Sequence, residues 1–447
     1  MAAAGKSVGV GIIGFGTIGT GTVRVVREHA ESITARLGAE LRLVRVADLD
    51  TTRDRGIRLP TGVLIRDAHS LINSPEVEIV VELMGGIEPA LTFVSAALAA
   101  GKSVVTANKA LLSAHGPALA RTAEKAGLGL GFEASVGGGI PIVRVLREAL
   151  AGDRNTEVYG IVNGTSNYIL TEMTAGNGEF AEVLARAQTM GLAEADPSYD
   201  VDGLDSVHKL VILVALAFGK RIRPEAVYAE GIRSISGVDI AYAREFGYTI
   251  KLLAVARDTP DGVEARVHPS MVPNSHLLSQ VRGPFNALCL RGRALGTSLY
   301  YGQGAGMMPT ATAVVADLID AARSRATGTA CRAPYGQPAA GLRHVVVVPM
   351  ARTMHEHYIR FQCADKPGVL ASISSILAKA GISIATVTQH GVSRQEPVAL
   401  VMRTHRTSEA QMSRALGRIG RLPELRAKPV VIRVEETLGE DAAARKE

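Results

Sequence analysis

The stretch Ser7-Val8-Gly9-Val10-Gly11-Ile12-Ile13-Gly14-Phe15-Gly16-Thr17-Ile18-Gly19 decides the fold class. Its first seven residues form a short apolar run that ends on glycine, the pattern of a strand buried on both faces. Gly14, Gly16 and Gly19 follow in G-x-G-x-x-G spacing, and a helical pattern opens through Val23 to His29. Glycine-rich loops are common, and an ordinary strand-to-helix turn is the alternative. The placement between strand and helix gives the spacing its meaning: a tight turn at Gly14, close approach of a pyrophosphate at Gly16, and close helix–strand packing at Gly19. The N–H groups at the helix start, with the helix dipole, suit an anion.

Outward from this loop, strand patterns recur at 41–47, 77–83 and 103–106, and helical patterns at 90–100 and 111–126. That alternation implies a parallel sheet with right-handed crossovers. Asp48 ends the second strand, where an acid can accept a ribose 2′-hydroxyl or simply cap a turn. Arg45, Arg53 and Arg55 flank it, and an arginine there could meet a 2′-phosphate instead, so NAD and NADP both remain open. Thr106-Ala107-Asn108-Lys109 follows another strand, at the sheet end where ligands of such folds bind. This makes Thr106 and Lys109 candidates for the nicotinamide end, against the alternative of an ordinary surface lysine.

Composition narrows the class. The 447 residues are 47 % apolar, 21 % charged and 4 % aromatic with no Trp, so the cores must be aliphatic. The net charge of +6 is spread thinly. Arg414, Arg418, Arg421 and Arg426 read as a solvated face without the aromatics that nucleic-acid binding uses. No nucleic-acid partner is expected, and no apolar run is long enough for a membrane partner. Cys289, Cys331 and Cys363 show no CxxC spacing, which fits a reducing, cytoplasmic setting and no zinc cluster.

Beyond about residue 140 the pattern changes. Glu133-Ala134-Ser135-Val136-Gly137-Gly138-Gly139-Ile140 crosses a domain junction and reads as a hinge or as a loop whose carbonyls could hold a hard cation. The segment from Gly191 to Asp205 holds five carboxylates within twelve residues (Glu194, Asp196, Asp200, Asp202, Asp205) and leads into an apolar helix carrying Lys209. Asp205 and Lys209 share one helix face. Either the segment is a solvated acidic loop, or it is a reaction site. Oxidising an alcohol needs a base for the hydroxyl proton, which lysine can be once burial lowers its pKa. The spare acids would grip a substrate ammonium group, so an amino-acid alcohol fits best.

The domain reading is 1–140 for dinucleotide binding, with 305–325 returning to it, 141–304 for substrate and dimerisation, a linker at 326–349, a compact βαββαβ unit at 350–436 and a polar tail at 437–447.

The stretches GFGTIG, TANKALL, FEASVGGGIPI, NGTSNYIL and GLAEADPSYDVDGLDSVHKL, in this order over about residues 10–325, resemble homoserine dehydrogenases. The C-terminal unit, with Asp365-Lys366-Pro367-Gly368-Val369-Leu370, resembles an ACT domain. The resemblance implies an α/β architecture: a Rossmann-type domain, an α/β substrate and dimerisation domain, and the ACT-like domain. It implies NAD(P)-dependent interconversion of L-homoserine and L-aspartate 4-semialdehyde, in threonine, methionine and isoleucine biosynthesis. Lys209 would carry the proton, with Asp205 and Lys109 assisting. Glu194, Asp200, Asp205, Lys109 and Thr165 would meet the substrate. Phe15, Thr17, Ile18, Gly191 and Gly306 would lie at the dinucleotide. A monovalent cation, usually Na+, would sit on Glu133, Val136, Gly138 and Ile140. Threonine is the expected effector of the ACT-like domain, which has Ser383 where such domains often have asparagine. A homodimer or homotetramer is expected. The rival reading is an amino-acid-sensing regulator on a catalytically dead dinucleotide fold.

Overall fold

The computed structural model describes residues 6–390, 396–436 and 438, so the tail at 437–447 lies outside the described residues except for Leu438. The chain divides into two compact units: residues up to 158 with 208–226 and 285–345, and residues 159–207 with 227–284 and 346 onward. The expected boundaries near 140 and 304 therefore fall inside the first unit. One cause is local: the Gly139 N–H donates to the Gln303 carbonyl (2.9 Å), tying the loop at 137–139 to the end of the hairpin Phe285–Gly292/Gly296–Gln303.

The first unit is built on a six-stranded parallel sheet in the order Leu64–Ile65, Glu40–Ala47, Ser7–Ile13, Ile79–Glu82, Ser103–Thr106, Leu130–Gly131. Val10, Ile12, Val80, Val81, Val104 and Val105 are buried on both faces, as their unbroken apolar runs require. The strand order reverses between Ser7–Ile13 and Ile79–Glu82, the switch point at which such sheets open a crevice at their carboxyl ends. Helix Met307–Thr327 returns to pack on helix Thr17–Glu28, burying Val314, Leu318 and Ala322 in the same core as Val23 and Ile33. The two helices approach closely because Gly21 has no side chain; a Cβ there would lie 2.7 Å from Met307 Cγ. Residues 326–349, expected as a linker, are largely irregular but anchored. Tyr335 and Ala339 are buried, and the Ala339 N–H donates to both carboxylate oxygens of Glu124 (3.0 Å each).

The second unit centres on the hairpin Tyr248–Thr259/Gly262–Pro273, paired in continuous register from Tyr248↔Pro273 to Thr259↔Gly262. Its second strand continues in parallel to Val430–Val434, which pairs with Met354–Cys363, then Val398–Thr404, then Ile384–Gln389. These last four strands and helices Val369–Lys379 and Glu409–Ile419 form the βαββαβ unit, with Phe361, Ile373, Leu377, Met402 and Met412 in its core. Where it joins the hairpin, a charged cluster is buried: Arg266 donates to Glu435 (2.8 Å) and to His268 Nε2 (3.1 Å). No helix among the described residues is long and apolar enough to cross a membrane.

Candidate functional site

The glycine loop closes as its spacing demands. Gly14 has φ 98°, a left-handed value that disfavours a side chain. A Cβ on Gly19 would lie 2.1 Å from the Gly14 carbonyl oxygen, whereas one on Gly16 would meet nothing within 4 Å. Gly16 and Thr17 are exposed, and helix Thr17–Glu28 starts there. Phe15, expected at the dinucleotide, instead braces the loop from beneath. Its ring is buried under the Arg55 guanidinium (4.9 Å), its N–H donates to Asp48 Oδ2 (2.6 Å) and its carbonyl accepts from Arg55 Nε (2.5 Å). Asp48 Oδ1 also accepts from the Asp50 N–H (2.9 Å) and lies 3.3 Å from Arg55 Nη2. Asp48 is thus committed to the loop. Arg45 sits inside strand Glu40–Ala47 and donates to the Val44 carbonyl, so Arg55 is the arginine that reaches the loop.

Beside the loop, a cavity of about 270 Å³ gathers Ile18, Lys109, Lys209, Gly306, Leu83 and Thr310. Other hollows on the chain are larger; two converging lysines next to a dinucleotide-type loop single this one out. Lys209 is 8 % exposed. Lys109 opens helix Lys109–Lys125, whose N-cap Asn108 accepts from the Leu111 N–H (3.0 Å) and donates to the Gly86 carbonyl (2.6 Å). Thr106, expected to face the cofactor, is fully buried. Its hydroxyl donates to Glu82 (2.5 Å) and accepts from the Asn108 N–H (3.0 Å), so it shapes the turn that delivers Lys109. Burial holds the Glu82 carboxyl above the usual range. Ser113 Oγ and His208 Nδ1, 2.6 Å apart, fasten the two lysine-bearing helices to each other. The sequence reading missed both Glu82 and this pair.

The acidic segment is organised in the second unit. Asn163, the N-cap of helix Gly164–Thr174, accepts from the Ser166 N–H (2.8 Å) and donates from Nδ2 to Asp200 Oδ1 (2.7 Å) and Asp205 Oδ2 (2.9 Å). It thus gathers two of the expected substrate residues, although the sequence reading singled out only Thr165 in that motif. Thr165 donates to the Leu192 carbonyl (2.6 Å), and Glu194 is exposed, its own carbonyl accepting from Gln188 (3.0 Å). Gly191 closes helix Phe180–Thr189 with φ 71°. Helix Leu204–Phe218 carries Asp205 in its first turn and Lys209 one turn later.

Glu133, Val136, Gly138 and Ile140 are all buried in the first unit. The Glu133 carboxylate accepts from the Val143 and Arg144 N–H groups (2.9 and 2.8 Å), and burial with Asp317 nearby pushes it up to about 7. Gly137 and Gly138 have φ 76° and 56°, which lets successive carbonyls turn. One carboxylate with backbone oxygens is a donor set that fits a hard monovalent cation. No group of three or more His, Cys, Asp and Glu suited to a metal occurs among the described residues. Cys289 is buried, and its thiol is pushed up to about 11 by burial and Glu157, the reverse of an activated nucleophile.

Family profiles cover the chain in order: the homoserine dehydrogenase NAD-binding domain at residues 14–133, the homoserine dehydrogenase domain at 141–319 and an ACT domain at 357–424. A homoserine dehydrogenase of Neisseria gonorrhoeae is 43 % identical over 432 residues, 96 % of this chain and 99 % of that protein. The chain belongs to the homoserine dehydrogenase family. It is accordingly an oxidoreductase with a Rossmann-like NAD-binding domain, a substrate domain and a C-terminal ACT domain. The homoserine dehydrogenase of Pseudomonas aeruginosa is 41 % identical over 436 residues, 96 % of this chain and 99 % of that one. The crystal structure of a homoserine dehydrogenase from Thiobacillus denitrificans superposes with a TM-score of 0.89 at 42 % identity, covering 96 % of this chain and 99 % of the other. A hyperthermophilic archaeal homoserine dehydrogenase in complex with NADPH superposes with a TM-score of 0.61 at 27 % identity, over 70 % of this chain and 97 % of that one.

Proposed function

We propose that the protein interconverts L-homoserine and L-aspartate 4-semialdehyde, with NADP preferred, in the biosynthesis of threonine, methionine and isoleucine. The observation that carries this reading is the cavity holding Lys109 and Lys209 beside the glycine loop. A bound nicotinamide would supply the hydride-transfer chemistry. Lys209 takes the hydroxyl proton in oxidation and returns it to the aldehyde oxygen in reduction, while Lys109 steadies that oxygen. Glu194, Asp200 and Asp205 hold the substrate ammonium, with Asn163 positioning the last two and Thr165 beside them. Gly16, Thr17 and Ile18 receive the dinucleotide, with Gly306 and Gly191 near it. Because Asp48 is already engaged by Phe15, Asp50 and Arg55, it is a poor ribose acceptor, which favours the 2′-phosphate of NADP. Glu133 with the carbonyls of Val136, Gly138 and Ile140 would hold Na+, which would rigidify the loop beside the cavity.

Threonine, acting at the ACT domain, is the proposed feedback inhibitor, and a homodimer or homotetramer the proposed assembly. The test is a steady-state assay of homoserine oxidation with NADP and with NAD, each with and without threonine. Turnover faster with NADP and lowered by threonine is expected. No turnover of homoserine with either cofactor would contradict the substrate assignment, and an unchanged rate with threonine would contradict its role as effector.

A further inference from the structure

A second polar cavity, of about 420 Å³, lies in the second unit against strand Tyr248–Thr259. Lys251, Arg244 and Arg282 line it, and among the described residues no Asp or Glu does. Lys251 is 2 % exposed, yet among the described residues its ammonium donates only to neutral acceptors, Asn167 Oδ1 (3.1 Å) and the Val281 carbonyl. An ammonium has three protons, so one donor remains for the cavity. Burial, with the like charge of Arg282 nearby, lowers Lys251 to about 8. Arg244 spends one nitrogen on the Thr174 carbonyl (2.6 Å) and keeps the rest of its guanidinium for the cavity.

A buried cation without a counter-charge, held beside a second cation, either gives up its proton or is stabilised by an anion that completes the site. The hydroxyls nearby do not supply the recognition. Thr171 donates to the Asn167 carbonyl (2.7 Å) and Thr249 to Asn274 Oδ1 (2.8 Å). Charge is what the cavity offers, on three side chains around a volume suited to a small molecule.

We propose that Lys251, Arg282 and Arg244 form a binding site for a phosphate-bearing small molecule, separate from the dinucleotide loop. Lys251 is bonded to Asn167 on helix Gly164–Thr174, whose N-cap Asn163 holds Asp200 and Asp205. An occupant would therefore act on the helix that arranges those two carboxylates.

The experiment is calorimetric titration of the full-length protein with inorganic phosphate at constant ionic strength, under saturating NADPH so that the glycine loop is filled. Saturable binding is expected, weakened at least tenfold in Arg282→Glu, an exposed position whose substitution leaves the core intact, and abolished in Lys251→Met. Succinate should bind more weakly than phosphate. Three results would overturn the proposal: no saturable phosphate binding with the glycine loop filled, equal binding by Arg282→Glu, or binding of succinate alone.

Discussion

Asn163 joins fold and chemistry in one side chain, so its replacement has effects that can be separated. It is 5 % exposed, caps a helix through Oδ1 and gives both Nδ2 protons to the carboxylates of Asp200 and Asp205. Losing an N-cap costs about 1 kcal/mol. Each hydrogen bond to a charged acceptor contributes about 1.5–3 kcal/mol. Asn163→Ala removes all three and should lower unfolding free energy by about 3–5 kcal/mol after local relaxation, read by urea denaturation. Asn163→Asp is the sharper variant. It keeps the capping oxygen but replaces two donors with a third carboxylate. The three acids then repel and Asp205 shifts, so the KM for homoserine should rise tenfold or more, equivalent to about 1.4 kcal/mol. Binding of NADPH, followed by its fluorescence, should stay the same. An Asn163→Ala protein within about 0.5 kcal/mol of wild type, or an Asn163→Asp protein with unchanged KM, would refute the reasoning.

Other consequences are equally direct. Gly19→Ala puts a Cβ 2.1 Å from the Gly14 oxygen, so the loop must open; NADPH affinity should fall at least tenfold in a fluorescence titration, and unchanged affinity would contradict the loop geometry. His268 and His355 are buried, and their pKa values are lowered from 6.5 to about 3 and about 2, with burial the main cause. The unfolded chain therefore binds more protons below pH 6.5, and stability falls as pH drops. Between about pH 6 and 4.5 the loss should approach about 1.4 kcal/mol per pH unit for each histidine. Urea melts of His268→Gln across that range should show a shallower slope, and an identical slope would contradict the neutral buried state.

The sequence made some of this legible and hid the rest for physical reasons. The strand at 7–13, the glycine loop and the βαββαβ order could be read because local periodicity and glycine spacing encode them. Lys109 and Lys209 were separate candidates, and only the tertiary fold put them around one cavity. Arg55 was one of three arginines near Asp48; the turn at 50–56, held by Asp50 and Asp54 side chains, selects it over Arg45. Thr106 and Phe15 sit in the right motifs but face inward, a distinction that strand-end position cannot make. Asn163 reads locally as an ordinary helix cap, since its other partners are 37 and 42 residues away. Glu82 ends an apolar strand, and nothing nearby in sequence announces the threonine that holds it.

The central claim is that Lys209 moves the proton. Replacing it with alanine should lower kcat for homoserine oxidation about 10²–10⁴-fold, the usual contribution of a general base, while NADPH still binds with wild-type affinity. A Lys209→Ala protein that turns over homoserine at the wild-type rate would contradict the account.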